Sequence, residues 1–166
     1  MTDETFSPFE LDKFMQKQGI SGEILHQASK TQTVEAAAQA VGTIPERIVK
    51  SILFMIEERP VLAITCGPAH VNRKAIANFY GVGKKKVKLA QPDIVLRETG
   101  FSVGAMPPFG HKFKLTTLLD RRVLEQPEIF AGGGAENVLV KLNPYDILNV
   151  TNAHVMDLIT PNVTDT

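Results

Sequence analysis

Ile48-Val49-Lys50-Ser51-Ile52-Leu53-Phe54-Met55-Ile56, followed by Glu57-Glu58-Arg59-Pro60 and then Val61-Leu62-Ala63-Ile64-Thr65-Cys66, is the stretch that decides the fold. Two apolar runs of strand length joined by a short polar segment read as a β-hairpin with a longer loop. They are the central strands. Alternation with a period of two puts Lys50 on the face shared by Ile48, Ile52, Phe54 and Ile56.

Shorter elements surround this hairpin. Ser7-Pro8-Phe9-Glu10 reads as a helix start, with Ser7 as cap, Pro8 in the first position and Glu10 closing a capping box, and Gly19 stops the helix. Ser21 to His26 suggests a short strand. A second helix begins at Thr33, carries Val34, Ala37, Ala38 and Val41 on one stripe, and ends at Gly42. Beyond the hairpin come a helix from Asn72 to Tyr80, a brief strand from Val87 to Ala90 and a short helix from Pro92 to Glu98.

Gly100 to His111 is too rich in glycine and proline for a regular element and reads as a shaped loop with strands on both sides. Apolar stretches at Leu115 to Leu119 and Asn137 to Leu142 bracket a second loop, Ala131 to Gly134. A short helix from Pro144 and a last strand near Val155 to Ile159 complete the chain. This irregular alternation predicts a single mixed α/β (α+β) domain over residues 1–166. Its sheet is mixed and mostly antiparallel, or a partial barrel, surrounded by helices.

Composition excludes several classes. The 166 residues, 43% hydrophobic and 22% charged, suit one globular core and not a disordered or disulfide-built chain. Eighteen basic and eighteen acidic residues cancel, so a nucleic-acid partner would have to be held by a local patch. The lone cysteine, Cys66, sits in an apolar run and reads as a buried, inert thiol. Met1 to Phe6 does not resemble a targeting peptide, and no apolar run approaches the roughly 20 residues of a membrane span. A cytoplasmic protein without membrane contact is the expectation.

Four places could carry chemistry. A lysine is rarely buried without a partner, because desolvating an ammonium costs several kcal/mol. Lys50 therefore either emerges at the end of the sheet, its stem snorkelling, or faces a polar ligand cavity. Spacing alone leaves both open. Gly104-Ala105-Met106-Pro107-Pro108 combines a permissive glycine with two stiffening prolines. Such a loop either simply connects its neighbours or holds its N–H groups toward a carbonyl or phosphate.

Gly132-Gly133-Gly134 is followed by no Gly-Lys-Ser/Thr and reads as a turn rather than a phosphate loop. Lys84, Lys85, Lys86 and Lys88 form either a solvated turn or a contact for RNA phosphates. His26, His70, His111 and His154 have no metal-ligand spacing, so neither a metal nor a cofactor is expected. No Gly-x-Ser-x-Gly elbow is present, which disfavours an acyl-enzyme and points to direct attack by water.

In three pieces, in order, the chain resembles the YbaK and prolyl-tRNA-synthetase-associated editing domains. These are Ile48 to Phe54 with the characteristic lysine, Gly104 to Pro108 within Gly100 to His111, and Ile129 to Gly134 followed by an apolar strand and Asn143-Pro144-Tyr145-Asp146-Ile147-Leu148. Residues 1–30 carry less of the resemblance.

The resemblance implies a metal-independent, substrate-assisted hydrolase that removes a small noncognate amino acid, alanine or cysteine, from mischarged tRNA, with tRNAPro the expected carrier. The partners it implies are the 3′-terminal adenosine and acceptor end of aminoacyl-tRNA, and a prolyl-tRNA synthetase, with the chain a monomer or weak dimer. It assigns catalysis to Lys50, Gly104 and Pro108, and substrate binding to Met106, Pro107, His111, Gly132 and Gly133. A non-catalytic module of the same fold that binds tRNA ends or a synthetase is the alternative.

Overall fold

The computed structural model describes residues 5–160; residues 1–4, part of the Met1–Phe6 segment read above, and 161–166 lie outside the described residues. The helices are α1 (Pro8–Gln18), α2 (Val34–Val41), α3 (Arg73–Tyr80), α4 (Pro92–Thr99) and α5 (Pro144–Thr151). The strands are β1 (Glu23–His26), β2 (Val49–Ile56), β3 (Arg59–Cys66), β4 (Val87–Leu89), β5 (Thr116–Asp120), β6 (Ile129–Gly132), β7 (Val138–Leu142) and β8 (His154–Met156).

The strands form one sheet in the order β4-β2-β3-β5-β8 and another in the order β1-β7-β6. Pairing is antiparallel except for β3 with β5 and β5 with β8. A single parallel bridge between Ile48 and Phe130 links the two sheets, which do not close into a barrel. The fold is thus the mixed, mostly antiparallel α/β domain that the element pattern predicts.

Local chemistry explains the element ends. Ser7 accepts from the Phe9 amide and Glu10 answers the Ser7 amide, so the capping box at α1 is complete. Thr33 caps α2 by accepting from the Ala36 amide at 3.0 Å. Leu62, Ile64, Leu118 and Leu119, from β3 and β5, have no exposed surface. Each such side chain contributes about 1.5–3 kcal/mol of burial, which is why these strands form the centre.

The structure corrects four readings. The β2–β3 hairpin has only Glu57 and Glu58 between its strands, with Ile56 paired to Arg59. Glu57 reaches a positive φ of 59° to make this turn. Pro60 lies inside β3, one residue before the parallel pairing with β5 begins at Val61, so no partner there needs its missing N–H. The loop after residue 100 is preceded by a helix, α4, and not by a strand. Residues 129–132 form a strand that the glycines conceal. The last strand, β8, starts at His154 and ends at Met156, and Ile159 makes only an isolated bridge to Val71.

One feature of the sheet positions the site. β4 pairs with β2 only at Phe54–Ile56, and the bridge to β6 lies at Ile48. Between these points the outer edge of β2, from Lys50 to Ile52, faces a gap between the two sheets.

Candidate active site

That gap opens into a cavity of about 210 Å³ whose wall includes Lys50, Ser51 and Ile52 of β2, Gly104 and Met106 of the loop, and Gly132 at the end of β6. Val34 and Ala37 of α2, with Val138 and Leu139 of β7, supply an apolar floor. Four residues from three separate motifs therefore meet around one space. Lys50 does not snorkel to the end of the sheet. It is half-buried, lines the cavity, and donates from Nζ to the Ala69 carbonyl at 3.1 Å.

Burial pushes the Lys50 ammonium below the ordinary lysine value, and the carboxylate of Glu35 on α2 opposes that shift. A cation so placed is poorly hydrated and available to an anionic or carbonyl ligand. Beside it, the Ser51 hydroxyl is buried without a hydrogen-bond partner. The Ala90 amide bonds the Leu53 carbonyl at 3.0 Å, so Leu53 and each second residue before it turn their peptide groups away from β3. Ser51 accordingly presents its backbone N–H and C=O to the gap as well.

The loop from Gly100 to His111 is closed at its neck, where the Lys112 amide bonds the Thr99 carbonyl at 2.9 Å. Within it the Ala105 amide bonds the Ser102 carbonyl at 3.1 Å, making a tight turn with Gly104 in third place at φ 91°. A turn of this shape demands positive φ at that residue, which glycine supplies without strain. Among the described residues the amides of Gly104 and Met106 have no backbone partner. They are the loop's free donors.

The glycine triplet seats this loop. A Cβ on Gly132 would collide with the Met106 carbonyl, one on Gly133 would lie 2.7 Å from Val138, and one on Gly134 would lie 2.8 Å from the Pro8 nitrogen. The Gly134 amide bonds the Ala105 carbonyl at 2.9 Å, and the Gly133 amide bonds the Val138 carbonyl at 2.8 Å. The triplet is thus a packing surface for the loop and for the start of α1. Its sequence reading as a turn missed both roles.

Not all the expected site residues reach the cavity. Pro107 and Pro108 are buried and absent from its wall; they stiffen the loop from behind. Gly133 is occupied with Val138. His111 also lies behind the loop, with Nε2 2.8 Å from the Pro107 carbonyl and its ring edge-on to Phe101 at 6.2 Å. Burial pushes its ionisation down to about 4, so at neutral pH the uncharged ring donates to Pro107 and braces the loop.

Lys84, Lys85, Lys86 and Lys88 are exposed and outside the cavity, on a single helical turn (Lys84–Lys86) and on β4. Lys88 pairs with Met55, five residues along β2 from Lys50, or roughly 17 Å at the usual rise.

Sequence reasoning missed Ser51, Val34, Ala37, Val138 and Leu139. An apolar cavity wall and an ordinary core stripe use the same residues, so only Ser51, a small polar residue beside the lysine, carried a signal. Burial pushes the Cys66 thiol up to about 12, which leaves it uncharged and unreactive. Among the described residues no group of three or more His, Cys, Asp or Glu side chains could hold a metal. No described helix is long and apolar enough to cross a membrane.

A folded edge strand with a half-buried lysine, facing a glycine-hinged loop across a small cavity, defines a ligand-binding α/β domain. The chain belongs to the aminoacyl-tRNA editing domain family, whose model matches residues 28–150. It is 28% identical over 120 residues to the protein YwhH of Bacillus subtilis (strain 168), covering 72% of this chain and 74% of that one. It is 24% identical over 110 residues to the proline–tRNA ligase of Thermoanaerobacter sp. (strain X514); the match covers 66% of this chain and only 19% of the ligase. A solved structure described as a candidate trans-editing enzyme for prolyl tRNA synthetase superposes with a TM-score of 0.86 at 30% identity, covering 93% of this chain and 97% of that one.

Proposed function

We propose that this chain is a free-standing trans-editing deacylase that hydrolyses the ester of a mischarged tRNA, tRNAPro carrying alanine or cysteine. The observation that carries the reading is the meeting of Lys50, Gly104, Met106 and Gly132 around one cavity. Family membership and the trans-editing neighbour support it.

In this reading Lys50 holds the polar end of the substrate, a phosphate or the aminoacyl group. The Gly104 and Met106 amides point to the ester carbonyl and stabilise the oxyanion as water attacks. Such preorganised donors are worth roughly 3–4 kcal/mol each. The new bond joins water oxygen to the acyl carbon, the acyl–ribose bond breaks, and a water proton passes to the departing ribose oxygen. The cavity wall carries neither carboxylate nor imidazole, so the neighbouring ribose hydroxyl is the group left to orient the water.

Selection by size follows from the wall. A synthetase pocket gains only about 1–3 kcal/mol per methylene, too little to reject smaller amino acids, and a second small chamber removes what slips through. Val34, Ala37, Ile48, Val138 and Met106 make such a chamber. A prolyl-tRNA synthetase is the natural supplier of the substrate.

The test is deacylation of tRNAPro charged with alanine, cysteine, serine or proline. Loss of one noncognate ester with the proline ester spared is the expected result. Survival of every ester, on this and other tRNAs, would replace the deacylase with a module that only binds tRNA ends.

A further inference from the structure

A second cavity of about 230 Å³ adjoins the first, and Ser51, Ile52, Val103, Gly104 and Met106 line both. Its other wall comes from Leu53, the end of β4 and the start of α4, with Leu89, Ala90, Gln91, Pro92 and Val95. We propose that this second cavity is a nucleoside subsite that takes the terminal adenosine, its base held between Leu89 and Val103 and read at its edge by Gln91. The proposal rests on the aminoacyl-ester reading above, since an ester of an amino acid and a ribose needs two chambers that meet at the reacting bond.

Four independent features of the wall favour a nucleoside. Leu89 and Val103 are large apolar side chains left 54% and 57% exposed, although both border a cavity. Uncovered apolar surface of this kind suits the face of an unstacked base. Gln91 stands at the N-cap of α4 but its side chain makes no capping bond. Its amide therefore keeps a donor and an acceptor, the pair that matches the amino group and adjacent ring nitrogen of adenine.

The buried, unpartnered Ser51 hydroxyl lies in the wall common to both cavities, where a ribose hydroxyl would fall. Charge fixes the direction. Lys84, Lys85, Lys86 and Lys88 lead along the chain directly into Leu89 and the second cavity, whereas the first has Lys50 as its one cation. A nucleotide in the second cavity places the preceding phosphates on the lysine side. The reverse arrangement would turn them away from it.

The experiment is a heteronuclear NMR titration of the full chain with adenosine 5′-monophosphate, repeated with cytidine 5′-monophosphate. The expected result is shifts centred on the Leu89, Gln91 and Val103 amides, an affinity about tenfold weaker in Leu89→Glu, and a preference for adenine that disappears in Gln91→Ala. Gln91 and Leu89 are exposed, so both variants retain the core. Shifts confined to Val34, Ala37 and Val138, or none at millimolar nucleotide, would overturn the subsite.

The deacylation panel separates the two readings. Ester hydrolysis with nucleotide shifts elsewhere sinks the subsite alone. Nucleotide shifts in the second cavity without hydrolysis of any ester uphold the subsite and sink the deacylase.

Discussion

Gly104 and Gly132 lie on opposite sides of the same contact, and glycine is required at each for a different reason. Gly104 has φ 91° and open space where a Cβ would go. Gly132 has strand geometry but no space, because the Met106 carbonyl lies where its side chain would be. One glycine is needed for its dihedral angle and the other for its closeness. Together they show that the active loop is held from behind by fit and shaped in front by conformation.

Alanine at the two positions should separate these roles. Gly132→Ala cannot be accommodated without moving backbone, so it should destabilise the chain by about 3 kcal/mol and abolish deacylation. Thermal unfolding and initial rates measure both. Gly104→Ala meets no atom but forces a left-handed conformation costing about 1–2 kcal/mol. It should keep the fold and reduce the rate about tenfold. A Gly132→Ala protein with wild-type melting temperature would break the comparison.

His111 sharpens it from the rear of the loop. Its folded-state value of about 4 lies below the ordinary 6.5, so the fold favours the neutral ring. The stability this provides is complete above about pH 6.5 and is lost progressively as pH falls from there toward 4. Melting temperature should therefore drop across that window. His111→Gln should flatten the drop, while the deacylation rate at neutral pH changes less than in Gly104→Ala. An unchanged acid profile in the variant would remove His111 as the brace.

The smallest effect belongs to the lysines. Replacing Lys85 and Lys86 with alanine should weaken tRNA binding and reduce the slope of log affinity against log salt by about one, with no change in thermal stability. An unaltered slope would return these residues to a solvated turn.

How much of this could be read from the chain depends on the kind of signal each residue carries. Lys50 was legible because a charged residue in an alternating apolar strand breaks a pattern. Gly104 was legible because glycine followed by two prolines has few uses. Val34 and Ala37 were not, since their helical stripe is the same whether it faces core or cavity. His111, Pro107 and Pro108 stand beside Gly104 in sequence, and adjacency in a loop does not say which side faces the ligand. The hairpin was recognised but its turn was not, because Pro60 reads as a breaker until the pairing around it is known.

The central claim is that Lys50 and the loop act on an aminoacyl ester in the cavity between them. Single-turnover deacylation of alanyl-tRNAPro by wild type and Lys50→Ala, with thermal unfolding of both, tests it most directly. The account predicts a loss of at least about tenfold in rate with the fold intact. Equal rates from two equally folded proteins would contradict it.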